Sequence, residues 1–308
     1  MDKSARIYVA GHRGMVGSAI LRNLQATGYT ELITRTHSEL RLDDAREVED
    51  FFAAEKPDYV FLAAAKVGGI LANATQGADF ITQNLRIQTN TIDAAYRHGV
   101  KKLMFLGSSC IYPKFAEQPI REDSLLTGAM EETNLPYAVA KIAGKVMCDA
   151  YSAQYGFRAF TAMPSNVYGV GDNFHPQNSH VVAGMMRRFH EAKLASTPEV
   201  VVWGTGTPMR ELIDADDLAD GCIFLMQYYE NGGLVNVGSS EEISIGDLAK
   251  LMAIVTGYTG EITFDSEKPD GTPRKIMDNR QLHSMGWKPK TSIEAGIYKM
   301  YNWYINNI

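Results

Sequence analysis

Tyr137 and Lys141 stand four residues apart, the spacing that brings two side chains to one face of a helix. A phenol ionises near pH ~10 and is a poor acid–base group at neutrality. A lysine cation one turn away lowers that value and favours the phenolate. Ser108 follows the apolar run at 102–107, so its hydroxyl is expected at the carboxyl end of a strand, where open α/β sheets bind ligands. Ser, Tyr and Lys together can bind a carbonyl, exchange its proton and hold a nicotinamide ribose. A bare Tyr-x-x-x-Lys is common; its weight here comes from its place after a serine-ended strand. Cys110 follows the same serines directly. Free cysteines are mostly buried as small hydrophobes, and Cys148 and Cys222 read that way in helix-like apolar surroundings. On the residues alone, His180 reads equally as a satisfied loop histidine or as an acid–base group. His175, His180 and Asp172 lack the further His or Cys ligands of a metal site, and no metal is expected.

A second motif lies near the start. Gly11-His12-Arg13-Gly14-Met15-Val16-Gly17 sits between an apolar run and a helical pattern. Glycines at this spacing allow a tight turn, close approach of the backbone to a pyrophosphate, and close helix–sheet packing. The helix N-terminus then stabilises the phosphate charge. NAD sites carry an acidic residue about 20 residues on, at the end of the second strand. Here that stretch reads Leu32-Ile33-Thr34-Arg35-Thr36, and the nearest acid is Glu39. Guanidinium groups at Arg13 and Arg35 suit a 2′-phosphate, since arginine binds phosphate oxygens in pairs. NADP is therefore expected, although either arginine alone reads equally as a solvated surface charge.

These groups need a scaffold. Short apolar runs at 6–10, 31–34, 58–65, 102–107 and 158–163 read as strands, alternating with helical patterns at 16–26, 45–54, 83–98 and 137–155. Strands without polar alternation between helices indicate a parallel sheet covered on both faces, an α/β doubly wound, Rossmann-like fold. The pattern weakens after Gly169, where glycines and prolines interrupt shorter elements; 200–203 and 234–237 read as further strands. The expected organisation is an NADP-binding domain over 1–169 and a smaller, interleaved substrate-binding region over 170–308, with later sheet elements returning around 200–240.

The chain has 308 residues and a formal net charge of −6, which disfavours generic binding to nucleic acid or an anionic membrane. Three widely spaced cysteines suggest neither a disulfide framework nor a zinc site. No segment approaches the ~18 apolar residues of a membrane span, and no leader is evident. A cytoplasmic protein is expected.

With Gly11–Gly17, Ser108, Tyr137 and Lys141 in place, the chain resembles the extended short-chain dehydrogenase/reductase family. Five stretches sharpen the resemblance: AAAKVGGI (63–70), GSSCIYP (107–113), DNFHPQNSHV (172–181), VVWGTGTPMRE (201–211) and KPDGTPRK (268–275). They are similar to a branch of that family that epimerises C3 and C5 of GDP-4-dehydro-6-deoxy-D-mannose, then reduces C4 with NADPH to give GDP-L-fucose. Protons at C3 and C5 are acidic because both carbons flank the carbonyl, and inversion needs acid–base groups on opposite ring faces. The resemblance implies Cys110 as base and His180 as acid; thiol and imidazole values of about 8.5 and 6.5 suit that work. It implies that Ser108 and Tyr137 hold the enolate oxygen, with Tyr137 later protonating it. It further implies cofactor contacts from the glycine turn, Arg35, Ala63, Ala65, Lys141, Pro164, Asn166, Val167 and His180. Arg188, Trp203, Arg210, Asp270 and Lys275 are implied at the sugar nucleotide, and a homodimer is implied as the assembly. Leu212-Ile213-Asp214 departs from the phenylalanine-leucine-histidine usual after the substrate arginine, and the loop at 228–233 is short; both bear on substrate affinity. A simpler sugar-nucleotide 4-epimerase or 4-ketoreductase, and a non-catalytic NADP-binding regulator, are the competing readings.

Overall fold

The computed structural model describes residues 1–176, 179–268 and 270–308. The first part of the chain forms β1 (Ile7–Ala10), α1 (Met15–Ala26), β2 (Leu32–Ile33), α2 (Ala45–Glu55), β3 (Tyr59–Leu62), α3 (Ile70–Thr75), α4 (Gly77–Arg97), β4 (Lys102–Leu106), α5 (Leu135–Tyr155) and β5 (Ala159–Pro164). The rest forms β6 (Asn166–Tyr168), α6 (Val181–Leu194), β7 (Glu199–Trp203), β8 (Met209–Asp214), α7 (Ala215–Tyr228), β9 (Gly233–Val237), β10 (Glu242–Ser244), α8 (Ile245–Thr256), β11 (Glu261–Asp265), β12 (Arg274–Lys275), α9 (Arg280–Ser284) and α10 (Ile293–Asn307).

The central sheet runs β2-β1-β3-β4-β5-β9 and is parallel throughout. Its strands are apolar on both faces because both faces are covered. Alternate residues of β1 enter different cores: Ile7 and Val9 pack with Ile20 of α1 and Leu218 and Cys222 of α7, whereas Tyr8 and Ala10 pack with Phe52 of α2, Ile92 of α4 and Cys148 of α5. Sheet order reverses at β1, which lies between β2 and β3. The carboxyl ends of β1, β3, β4 and β5 therefore share one edge, with the crevice for a ligand at the reversal.

After β5 the chain leaves this sheet. β6 pairs with β8, and β8 is flanked by β10 and β12. Met186 and Phe189 of α6, Leu248 and Met252 of α8, and Ile297 and Met300 of α10 form a second core. The helices here span 14, 14, 12 and 15 residues for α6, α7, α8 and α10, longer than the broken sequence pattern suggests. Methionine and alanine blur their apolar stripes, but capping signals are present: Ser244 Oγ accepts the Asp247 N–H at 2.9 Å at the start of α8, a Ser-x-x-Asp signature.

The strand at 199–203 also differs from expectation. It does not return to the central sheet but pairs with β11. Its run Val-Val-Val-Trp looks continuously apolar, yet only Val200 and Val202 are buried, while Val201 and Trp203 face out. A strand covered on one face belongs to a small outer ribbon, not to a layer between two helix sheets. Of the region around 200–240, β9 joins the central sheet.

Candidate active site

The glycine turn is shaped by contacts that exclude a side chain. Gly11 adopts φ +85°, and a Cβ there would lie 2.7 Å from the Ala64 nitrogen. A Cβ on Gly17 would lie 2.1 Å from the Gly11 carbonyl oxygen. Gly14, the cap residue of α1, offers no side-chain cap, so the first N–H groups of the helix remain for an outside acceptor. Ala63 follows β3 and donates its N–H to Ala10 O at 3.1 Å, which sets residues 63–65 against the turn. Met15 and Val16 pack on the first core. Burial, then the neighbouring Arg13 charge, pulls His12 below an ordinary imidazole value. Pro164 ends β5, and Asn166 and Val167 begin the crossing into the second unit. The turn, residues 63–65 and residues 164–167 thus line one sheet edge, and this backbone cradle fits a dinucleotide.

The two arginines differ. Arg13 is exposed. Arg35 is engaged: its Nη1 donates to Thr34 O at 2.8 Å, its Nη2 pairs with Glu55 of α2, and its guanidinium lies 5.7 Å from the Phe51 ring centroid. Both act on Glu39, whose carboxylate sits below its usual range, chiefly through hydrogen bonds from Thr36.

The reactive groups meet where β4 ends. Ser108 caps a short turn at Ser109–Ile111, and its Oγ accepts the Cys110 N–H at 3.5 Å. Tyr137 lies in the first turn of α5, with its ring edge-on to Phe80 at 6.1 Å between centroids. Burial pushes the Tyr137 phenol well above its ordinary value; a charge on Cys110 raises it further, and a Ser108 hydrogen bond opposes both. Burial likewise raises the Cys110 thiol, opposed first by Lys275, then by a Ser108 hydrogen bond and by Lys141.

Lys141 is anchored to the end of β4. Its Nζ donates to Leu106 O at 2.8 Å and lies 4.7 Å from the Phe105 centroid, but 5.9 Å from that of Tyr137. Burial pulls the ammonium down to about 8. Its ammonium is held by the β4 backbone one helical turn from the phenol, and its charge also bears on Cys110.

Lys275 sits opposite Arg210 in the β12–β8 pairing. Burial lowers both cations; Asp270 opposes this at Arg210, and Cys110 opposes it at Lys275. Asp270 is itself engaged by the turn after β7, accepting the Thr205 N–H at 2.7 Å and its hydroxyl at 2.8 Å. Trp203 is 67% exposed at the end of β7, which decides against a core role for it; Lys268 Nζ lies 6.0 Å from its ring. Arg188 donates to Val201 O at 2.9 Å, beside Trp203. Arg187 turns away to Glu191 and Phe174 O. His180 is the cap residue of α6, with Nδ1 3.7 Å from Asp172 Oδ1.

Sequence reasoning missed Glu211. It is fully buried and accepts the N–H groups of Ser240 and Met277 and the amide of Asn279, each at 2.7 Å. These bonds tie β8 to the segments after β9 and β12, and so fix Arg210 against Lys275. A lone carboxylate in the buried run Glu211–Ile213 was the signal available.

A family model described as the NAD dependent epimerase/dehydratase family matches residues 7–238. The chain is 59% identical over 308 residues to "Putative GDP-L-fucose synthase 2" of Arabidopsis thaliana, covering 100% of this chain and 94% of that one. It is 52% identical to "GDP-L-fucose synthase" of Escherichia coli (strain K12), covering 98% and 97%. Among solved structures, the GDP-mannoheptose C4 reductase of Campylobacter jejuni with NADP bound superposes with a TM-score of 0.92 at 37% identity, covering 99% of each chain.

Proposed function

Because this chain belongs to the NAD dependent epimerase/dehydratase family, we propose that it converts GDP-4-dehydro-6-deoxy-D-mannose to GDP-L-fucose with NADPH. The observation that carries this reading is the place of a thiol, Cys110, in the turn that Ser108 caps at the end of β4, packed against the cluster that holds Ala138 and Ile142 of the helix bearing Tyr137. A ketoreductase needs only the phenol. A thiol beside it, with a cation to favour the thiolate, supplies a base for carbon acids next to the same carbonyl.

In this mechanism the Ser108 and Tyr137 hydroxyls hydrogen-bond the C4 oxygen. The Cys110 thiolate removes a proton from C3 or C5 on one ring face, and the charge that develops on the C4 oxygen is met by those hydroxyls. The His180 imidazolium delivers a proton to the opposite face. NADPH, when bound, supplies hydride to C4. Tyr137 then gives its proton to the C4 oxygen, which requires the neutral phenol its burial favours. Arg188, Trp203, Arg210, Asp270 and Lys275 hold the nucleotide sugar. Lys141 and the residues lining the glycine edge hold the cofactor.

The activity is tested by incubating the purified protein with GDP-4-dehydro-6-deoxy-D-mannose and NADPH and identifying the product by NMR. GDP-L-fucose is expected; a reduced sugar of unchanged C3 and C5 configuration would favour a plain 4-ketoreductase, the activity named for the Campylobacter jejuni relative.

Arg13 and Arg35 are proposed at the 2′-phosphate, with Arg35 leaving Glu55 to reach it. Arg35→Ala should weaken NADPH binding about tenfold, ~1.4 kcal/mol, and leave NADH binding unchanged in fluorescence titrations. Equal losses for both cofactors would remove Arg35 from the 2′-phosphate.

The proposed assembly is a homodimer in the cytoplasm. Leu135, Val139 and Val146 on α5 are exposed, an apolar stripe that suits helix pairing between copies. Sedimentation should give a dimer, and Val139→Glu with Val146→Glu a monomer; a wild-type monomer contradicts this. The three cysteines are unpaired, which agrees with a reducing compartment. No helix among the described residues is long and apolar enough to cross a membrane.

A further inference from the structure

Asp172 is buried in the segment between β6 and α6, with 3% of its side chain exposed against 49% for His180. Its Oδ1 accepts the Asn173 N–H at 2.7 Å and lies 3.7 Å from His180 Nδ1. Its Oδ2 is buried with no hydrogen-bond partner. A buried carboxylate with an unsatisfied oxygen is unfavourable unless a cation balances it. Among the described residues, the ion pair given for Asp172 is with His180.

The position of His180 makes the pairing matter. As cap residue of α6 it lies at the positive end of a helix, which disfavours an imidazolium. Of the basic groups on the same helix, Arg187 binds Glu191 and Phe174 O, and Arg188 binds Val201 O. Asp172, 3.7 Å from the imidazole, raises the His180 value and outweighs the opposing desolvation.

We propose that Asp172 is a positioning residue for His180: its buried carboxylate faces Nδ1 and fixes the ring so that Nε2 is turned toward the sugar carbon to which the proton is delivered. This rests on the proposed epimerisation. Asp172 donates nothing to the substrate; its effect is on the charge and orientation of another group. A raised histidine value means that the acid form is present below it and is lost as pH rises through it. Without Asp172 that loss begins at lower pH.

The test is a 13C–1H NMR titration of histidine-labelled protein, with His180 assigned through a His180→Asn variant, alongside the pH profile of deuterium exchange into the sugar. Asp172→Asn should lower the His180 midpoint by about one unit, which cuts the protonated fraction about tenfold above it. The high-pH limb of the exchange profile should shift down equally, NADPH affinity should be unchanged, and Asp172→Glu should recover part of both effects. An unchanged His180 midpoint in folded Asp172→Asn protein overturns the proposal, as does exchange lost equally at every pH. If Asp172→Asn does not fold, the wild-type titration decides: a midpoint at or below an ordinary imidazole value overturns it. If wild-type protein exchanges no deuterium, the functional reading fails, and the His180 midpoints still decide the pairing.

Discussion

Cys110→Ser protein should bind NADPH normally and yet lose deuterium exchange at C3 and C5 by about 10²–10⁴-fold, the usual contribution of a positioned acid–base group. The substitution is nearly isosteric, so the turn at Ser109–Ile111 and the Ser108 contact should persist. What changes is acidity: a hydroxyl is a far weaker acid than a thiol, and the neighbouring Lys275 cation, the main influence favouring the thiolate, cannot ionise it at neutral pH. Reduction of the carbonyl uses Tyr137 and should survive better, yielding a product of uninverted configuration. The measurement is a pair of rates from one sample, exchange by NMR and NADPH consumption by absorbance. Unchanged exchange would remove Cys110 from the mechanism.

Tyr137→Phe should act on both steps and most strongly on reduction. The phenylalanine ring keeps the edge contact with Phe80, so stability should hardly change. The enolate loses one of its two hydroxyl donors, and the loss of one such donor typically costs about 10²–10³-fold. Reduction loses in addition the proton that the C4 oxygen must receive, so NADPH oxidation should fall further than exchange. The split is the informative quantity, because Ser108 still supports some enolisation. Turnover equal to wild type would remove Tyr137 from the mechanism.

Much of this site is legible in the chain because its parts are local. A glycine turn directly after an apolar run, a serine at the end of another, and a tyrosine one turn before a lysine depend on neighbours within a few residues. The parallel sheet follows from strands lacking polar alternation. What the sequence hides is how polar groups are partnered once buried. Lys141 has helical spacing to Tyr137, yet its ammonium is taken by the carbonyl of Leu106 on another element. Arg35 reads as a free cation but pairs with Glu55. Lys275 meets Arg210, and Glu211 joins three segments, only because β12 is laid against β8. The outer ribbon misleads for a related reason: four apolar residues in β7 cannot reveal that one face meets solvent.

The proposed reaction joins inversion of the carbons flanking the carbonyl and reduction of that carbonyl in one site. The most direct measurement is to incubate the protein with GDP-4-dehydro-6-deoxy-D-mannose in D2O, first without and then with NADPH, and to follow the sugar by NMR. Deuterium is expected at both C3 and C5 before NADPH is added, and deuterated GDP-L-fucose after it. Consumption of NADPH with no deuterium at either carbon would contradict the proposed reaction, and would leave Cys110 and His180 without the parts assigned to them.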